Sequence, residues 1–262
     1  MVNTGMFDLT GRIALVTAGG RGLGREFCEA MAEFGADVAC NDIDMASALE
    51  TVDLIKKFGR RAIAIEGDVS QQDQVERMVA QTVAEFGVID ILFCNAGIGL
   101  QVRLHEIAIK DWERVMAVNV TGTFLCMRAV LPIMLKQKRG SIIITSSVAG
   151  IRAGSEEWSV PNLSVYGTSK HAVIGLTRHA AVAYAKDGIR INAIAPGSHA
   201  TYPLSMGGEE EGKKRHEKLF KFIPMGRPGM PSEIKGLAVY LASDASSYVT
   251  GQVFVQDGGM FV

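Results

Sequence analysis

Three features of the sequence predict an α/β protein built on a doubly wound, parallel, seven-stranded sheet. Seven short apolar or β-branched runs alternate with longer stretches of helical period, as right-handed βαβ units require. The first run, residues 13–17 (IALVT), is apolar almost throughout, the pattern of a strand covered on both faces. It leads straight into a glycine-rich turn that opens a helix, the arrangement by which such sheets receive a phosphate group.

After that turn, residues 23–34 place Leu23, Phe27, Ala30, Met31 and Phe34 in one helical stripe. Residues 38–41 read as the second strand and 45–58 as the second helix, closed by Gly59. Residues 62–65 give strand three, and the helix over 71–86 stops at Gly87. Strands four to seven fall at 89–94, 141–145 (SIIIT), 190–194 and 253–255. No repeat, low-complexity tract or linker interrupts the series, so residues 1–262 read as a single domain. A polar excursion at 205–218, containing GGEEEGKKRHEK, reads either as a disordered loop or as a mobile cover.

Composition narrows the function classes. Hydrophobic residues make up 48% and charged residues 21%, the balance of an ordinary soluble globular protein. With 27 basic and 28 acidic residues the net charge is −1, and no basic block exists; nucleic-acid and membrane-surface partners are not expected. Residues 1–10 lack the basic and apolar regions of a secretory signal, and no apolar run reaches membrane-spanning length. The expected location is cytoplasmic. Cys28, Cys40, Cys94 and Cys126 are widely spaced without a CxxC pair, so they read as reduced core cysteines and no metal is expected.

The turn itself is Thr17-Ala18-Gly19-Gly20-Arg21-Gly22-Leu23-Gly24. Glycine brings backbone close to a pyrophosphate resting on free helix amides, which makes Gly20, Arg21, Gly22 and Leu23 candidate dinucleotide contacts. Eighteen residues after Gly24, strand two ends at Asp42. A carboxylate there accepts both ribose hydroxyls of NAD and repels the extra phosphate of NADP. The alternative for Asp42 is a solvated acid or a cap of the next helix, with Asp44 as the rival cap. Arg21 pulls towards NADP, because a guanidinium pairs with a 2′-phosphate. The buried-strand acid outweighs the flexible arginine, so NAD is expected and NADP is less favoured. Asp68-Val69 and Asn95-Ala96-Gly97, after strands three and four, extend the same ligand-binding edge.

Tyr166 and Lys170 stand at i and i+4, on one face of a helix-period stretch. A phenol with a pKa of about 10 is a poor base at neutral pH, and a neighbouring lysine cation favours the phenolate. Alone, the pair fits an ordinary helix surface equally well. Ser146 and Ser147 end strand five at the ligand edge, where a hydroxyl can steady a substrate oxygen.

Taken in order, these pieces resemble the short-chain dehydrogenases/reductases of the single-domain type, which have a Rossmann fold. Asn119 in VMAVNVTGTF, Ser147 in SSVAG, Pro196-Gly197 with Thr201, and YVTGQVFVQDGG near the C-terminus complete the likeness over essentially the whole chain. The resemblance implies that Tyr166 exchanges a proton with the substrate oxygen and that Ser147 positions it. Lys170 would hold the nicotinamide ribose, and Asn119 would anchor a water-linked proton relay. It also implies Asp68 and Val69 at the adenine, Asn95, Ala96 and Gly97 along the cofactor, and His199 and Thr201 at the nicotinamide carboxamide. A homo-oligomer, a tetramer before a dimer, is implied as well, with Ala180, Ala181, Ala183 and Ala185 suited to a close helix contact.

The sequence departs from the family at three places. Ala18 replaces the first glycine of the turn, where Gly19 and Gly20 are expected to restore flexibility, and Cys94 precedes Asn95 in place of a second asparagine. Ser147 and Tyr166 are 19 positions apart, a longer interval than in the commoner members. Glu156, Glu157 and Trp158 in that interval either reach over the site or decorate its surface. By resemblance residues 201–227 form the substrate lid, with Tyr202 and Met206, and its charged middle favours a small polyol, sugar, cyclitol or cyclic ketone. Two alternatives stay open: an NADPH-dependent 3-oxoacyl-type reductase, and a non-catalytic nicotinamide-sensing protein on the same fold.

Overall fold

The computed structural model describes residues 4–153, 162–201 and 220–261. Seven parallel strands form one sheet: β1 (Ile13–Val16), β2 (Asp37–Asp42), β3 (Ala62–Glu66), β4 (Ile91–Cys94), β5 (Gly140–Thr145), β6 (Ile189–Pro196) and β7 (Val253–Gln256). Their order is β3-β2-β1-β4-β5-β6-β7. The sheet is the doubly wound one read from the sequence, with strand ends displaced by one or two residues. β1 pairs with β2 on one side, Ile13 opposite Asp37, and with β4 on the other, Ala14 opposite Ile91. Chain order reverses between β1 and β4, which opens a crevice at their carboxyl ends.

Helices α1 (Gly22–Glu33), α2 (Met45–Lys56), α3 (Gln72–Phe86), α4 (Ile109–Met116), α5 (Gly122–Gln137), α6 (Ser164–Tyr184) and α7 (Lys235–Ala242) cover the two faces. Side chains alternate across the sheet, so each strand feeds both cores. Leu15, Leu92, Ile142 and Ile144 pack with Met78, Val130, Met134 and Val173 of α3, α5 and α6. Ala14, Val16, Phe93 and Ile143 pack on the other face with Phe27, Val52 and Val239 of α1, α2 and α7. The rings of Phe27 and Phe93 stack with centroids 4.7 Å apart. Burying one such side chain contributes about 1.5–3 kcal/mol. All four cysteines are free and buried, two in each core, as expected.

Between α4 and α5 the helix widens into a π-helical segment, Ala117–Thr121. α5 shows no clean amphipathic stripe in sequence because much of its surface is buried. Ile109–Gln137 has the length and hydropathy of a membrane span, against the reading from apolar runs; more than half of that apolar window is buried inside the fold. α6 begins at Ser164, earlier than the periodicity suggests, so Tyr166 lies in its first turn.

The turn after β1 corrects one expectation. Ala18 itself takes φ 49°, the left-handed region, so the neighbouring glycines do not relieve it. An L-residue there costs about 1–2 kcal/mol, of which glycine's extra chain entropy cancels about 0.4–1 kcal/mol. Ala18→Gly is therefore expected to raise Tm by about 2 °C in thermal denaturation; an equal or lower Tm would show that the turn is unstrained.

Candidate active site

A cleft of about 1050 Å³ opens at the carboxyl ends of the strands. Eight of the expected residues line it: Leu23, Asn95, Gly97, Ser147, Tyr166, Lys170, His199 and Thr201. Gly20, Arg21, Asp42, Asp68 and Val69 lie along the β1–β3 side, outside the cleft lining.

The β1 turn is fastened to the end of β4. Thr17 Oγ1 donates to the Phe93 carbonyl (3.1 Å) and accepts from the amides of Asn95 (2.9 Å) and Ala96 (3.1 Å). Asn95 Nδ2 donates back to the carbonyls of Thr17 (3.1 Å) and Ala18 (3.2 Å). At Gly24 an added Cβ would lie 1.9 Å from the Ala18 carbonyl oxygen, so only glycine fits. Helix α1 starts at Gly22 with no side-chain cap from Arg21 and no acid in its first turn. Its leading amides therefore lack a side-chain acceptor and suit a pyrophosphate. The donor set fits the dinucleotide that the sequence implies.

Asp42 is buried at the end of β2, where Oδ2 accepts from the Gly20 amide (2.9 Å) and Oδ1 from the Asp44 amide (3.1 Å). Asp44, not Asp42, caps α2, through the Ala46 amide at 3.1 Å. The Ser47 hydroxyl foremost, with the charge of exposed Arg21 adding to it, holds the Asp44 carboxyl below its usual range. Asp68 accepts from Ser70 Oγ (2.7 Å) and Arg114 Nη2 (3.1 Å); burial pushes its carboxyl up, and these bonds bring it net below the ordinary value. Val69 is buried against Gly122.

The catalytic candidates converge. Lys170 is buried, and its Nζ donates to the Thr145 carbonyl at 2.7 Å and sits 5.6 Å from the Tyr166 ring centroid. Burial lowers its pKa to about 8. Tyr166 is half-buried. Burial pushes its phenol up, while a hydrogen bond with Ser147 pulls the other way. The expected lysine-driven depression of the phenol is not what this geometry gives, because desolvation dominates. Ser147 Oγ also accepts from the Ala149 amide (3.2 Å), so it caps a short turn as well as touching Tyr166. Ser146 is structural, its Oγ donating to the Lys170 carbonyl at 3.0 Å.

Asn119, on the π-helical segment, is buried with Oδ1 accepting from the Ile98 amide at 2.8 Å. At Gly97 an added Cβ would lie 3.2 Å from Lys170 Nζ and 3.5 Å from Asn119 Oδ1, so the bare glycine makes room for both. His199 is buried, its Nδ1 3.2 Å from the Gly197 carbonyl, and burial lowers its pKa, which favours the neutral ring. Thr201 packs 3.7 Å from the Cβ position of Gly22, bridging the cleft to the β1 turn. Sequence reasoning did not single out the hydroxyl role of Thr17, nor Ser169, whose Oγ accepts from Asn119 Nδ2 at 2.9 Å. Neither carries a signal in spacing, since both act through contacts distant in sequence. Glu156, Glu157, Trp158, Tyr202, Met206 and the lid from 202 to 219 lie outside the described residues.

Residues 17–261 match the family described as enoyl-(acyl carrier protein) reductase. The chain is 40% identical over 258 residues to a 2,5-dichloro-2,5-cyclohexadiene-1,4-diol dehydrogenase of Sphingobium indicum, covering 97% of this chain and 98% of that one. It is 38% identical over 258 residues to a 3-oxoacyl-[acyl-carrier-protein] reductase of Synechocystis, covering 97% and 99%. A crystal structure of a short-chain type dehydrogenase/reductase from Mycobacterium marinum superimposes with a TM-score of 0.90 at 38% identity, covering 98% of each chain. With its sheet order, turn and cleft in agreement with these matches, the chain belongs to the short-chain dehydrogenases/reductases, NAD(P)-dependent enzymes that act on alcohols and ketones.

Proposed function

We propose that the protein is an NAD-dependent oxidoreductase interconverting a secondary alcohol and a ketone on a small polyol, sugar, cyclitol or cyclic ketone. The observation that carries this reading is the convergence of Ser147, Tyr166 and buried Lys170 in one cleft, with Lys170 Nζ 5.6 Å from the Tyr166 ring centroid. When bound, the nicotinamide supplies or accepts the hydride. Tyr166 Oη gives its proton to the carbonyl oxygen, or takes one from the alcohol. The raised pKa favours the protonated phenol at neutral pH, the form that serves reduction. Ser147 orients the substrate oxygen, and Lys170 presents donors from Nζ to the nicotinamide ribose. Asn119 would hold the water-linked proton path next to Nζ, and His199 and Thr201 would flank the nicotinamide carboxamide. Gly20, Gly22 and Leu23 would carry the pyrophosphate, with Asn95, Ala96 and Gly97 along the cofactor and Asp68 and Val69 at the adenine.

Asp42 supports NAD, because a buried carboxylate at the end of β2 opposes a 2′-phosphate. The second reading, an NADPH-dependent 3-oxoacyl-type reductase, draws on exposed Arg21 and on the name of the Synechocystis relative. We also propose a homo-oligomer, a tetramer before a dimer. Ala181 is buried in the core and does not serve that contact; Val182, 82% exposed, with Ala183 and Ala185 forms the open part of α6 and its end.

A screen of polyols, cyclitols and cyclic ketones, following NADH absorbance, tests the substrate class; no turnover with any of them would overturn it. Tyr166→Phe should lower kcat by at least about a hundredfold while NADH binding, read by fluorescence, stays within about twofold; retained turnover would sink the mechanism. Asp42→Ala should weaken NAD and narrow its advantage over NADP in kcat/KM, and an unchanged ratio would assign the choice to Arg21 or another group. Lys170→Met tests the buried cation. Its depressed pKa means that the folded state disfavours the charged form, at a cost of about 3 kcal/mol below pH 8 that fades as pH rises towards 10.5. Less about 1 kcal/mol for the lost Thr145 bond, the variant should melt about 5 °C higher at pH 7. The gap should shrink above pH 8, and a gap independent of pH would contradict it.

A further inference from the structure

We infer that Ser169 is a positioning residue for the reaction, holding Asn119 in register with the first turn of α6; this rests on the oxidoreductase reading above. The Asn119 amide nitrogen has two hydrogens, and both are used: one to the Ile98 carbonyl (3.0 Å), one to Ser169 Oγ (2.9 Å). Asn119 Oδ1 accepts from the Ile98 amide (2.8 Å). The two Ile98 bonds fix Asn119 to the loop after β4 and to nothing else. Ser169 adds the missing reference, because its hydroxyl donates onward to the Tyr166 carbonyl (2.7 Å).

A hydroxyl accepts and donates at once, which is what this junction needs. A buried helical serine often bonds a carbonyl one turn back, but that habit does not call for a second bond to another element. Ser169 is fully buried, so bulk water does not compete. Asn119 Oδ1 and Lys170 Nζ flank the same Gly97, and a tilt of Asn119 reshapes the space beside the ammonium. Ser169 thus joins three segments: the β4 loop, the π-helical segment, and the helix that carries Tyr166 and Lys170.

The test is kinetic, on the full-length protein, with cyclohexanol or the fastest alcohol from the screen and NAD. In Ser169→Ala, Asn119 Nδ2 keeps Ile98 and the Tyr166 carbonyl stays within α6, so the fold should persist. The expected result is a kcat about tenfold lower, with KM for NAD nearly unchanged and Tm lower by only a few degrees, since one buried amide hydrogen loses its acceptor. In the Asn119→Ala background the same substitution should cause no further loss. Wild-type kcat, a lower Tm with kcat preserved, or additive losses in the cycle would each overturn the inference. Should the alanine variant fail to fold, Ser169→Cys, similar in size and weak in hydrogen bonding, reads the same quantities. Activity retained in Tyr166→Phe would instead defeat the underlying reading, whereas a dead Tyr166→Phe beside a fully active Ser169→Ala defeats this inference alone.

Discussion

Everything in the cleft depends on the clamp between the β1 turn and the end of β4. Strand order reverses between these two neighbours, so their connections diverge to opposite faces and leave polar backbone at the sheet edge. Thr17 and Asn95 satisfy that backbone with five mutual or adjacent hydrogen bonds. The clamp fixes where α1 begins, and hence where its free amides point. It also sets the path of Gly97 and Ile98, on which Asn119 and Lys170 are arranged. A single asparagine side chain couples the phosphate end of the site to its chemical end.

The frame of the protein was legible because its physics is local. A strand covered on both faces must be apolar, and residues 13–17 are; a turn that approaches its own helix must lack side chains, and Gly24 does. The positions of Asp42 and Ser147 were legible because counting the strands puts them at strand ends, whereas Tyr166 and Lys170 stood out by their i, i+4 spacing and the family resemblance. Other features escaped for equally physical reasons. The φ of Ala18 is set by neighbouring structure against the residue's own preference. The widened turn around Asn119 leaves no composition signal, and Ser169 acts across 50 positions. The balance of charge and burial at Tyr166 could be read in sequence only as the lysine's attraction; the fold adds the larger, opposing desolvation.

Polar groups held out of water define the site's energetics. Lys170 is a costly one, a buried ammonium that donates to the Thr145 carbonyl and, among the described residues, pairs with no carboxylate. Ala18 adds backbone strain a short distance away. Both lie at the ligand edge rather than in the two apolar cores, where the stacked rings of Phe27 and Phe93 hold α1 to the sheet. Stability is thus generated in the interior and spent at the rim.

The π-helical segment that carries Asn119 has a consequence for how this chain tolerates change. One surplus residue in a helix shifts the phase of all that follows by about 100°. α4 and α5 are therefore two helices joined out of step through Ala117–Thr121. A one-residue deletion there would turn α5 by about 100° relative to α4, swinging the side bearing Val130 and Met134 away from the core, or Asn119 away from the cleft. Length, at this position, is as strictly specified as identity.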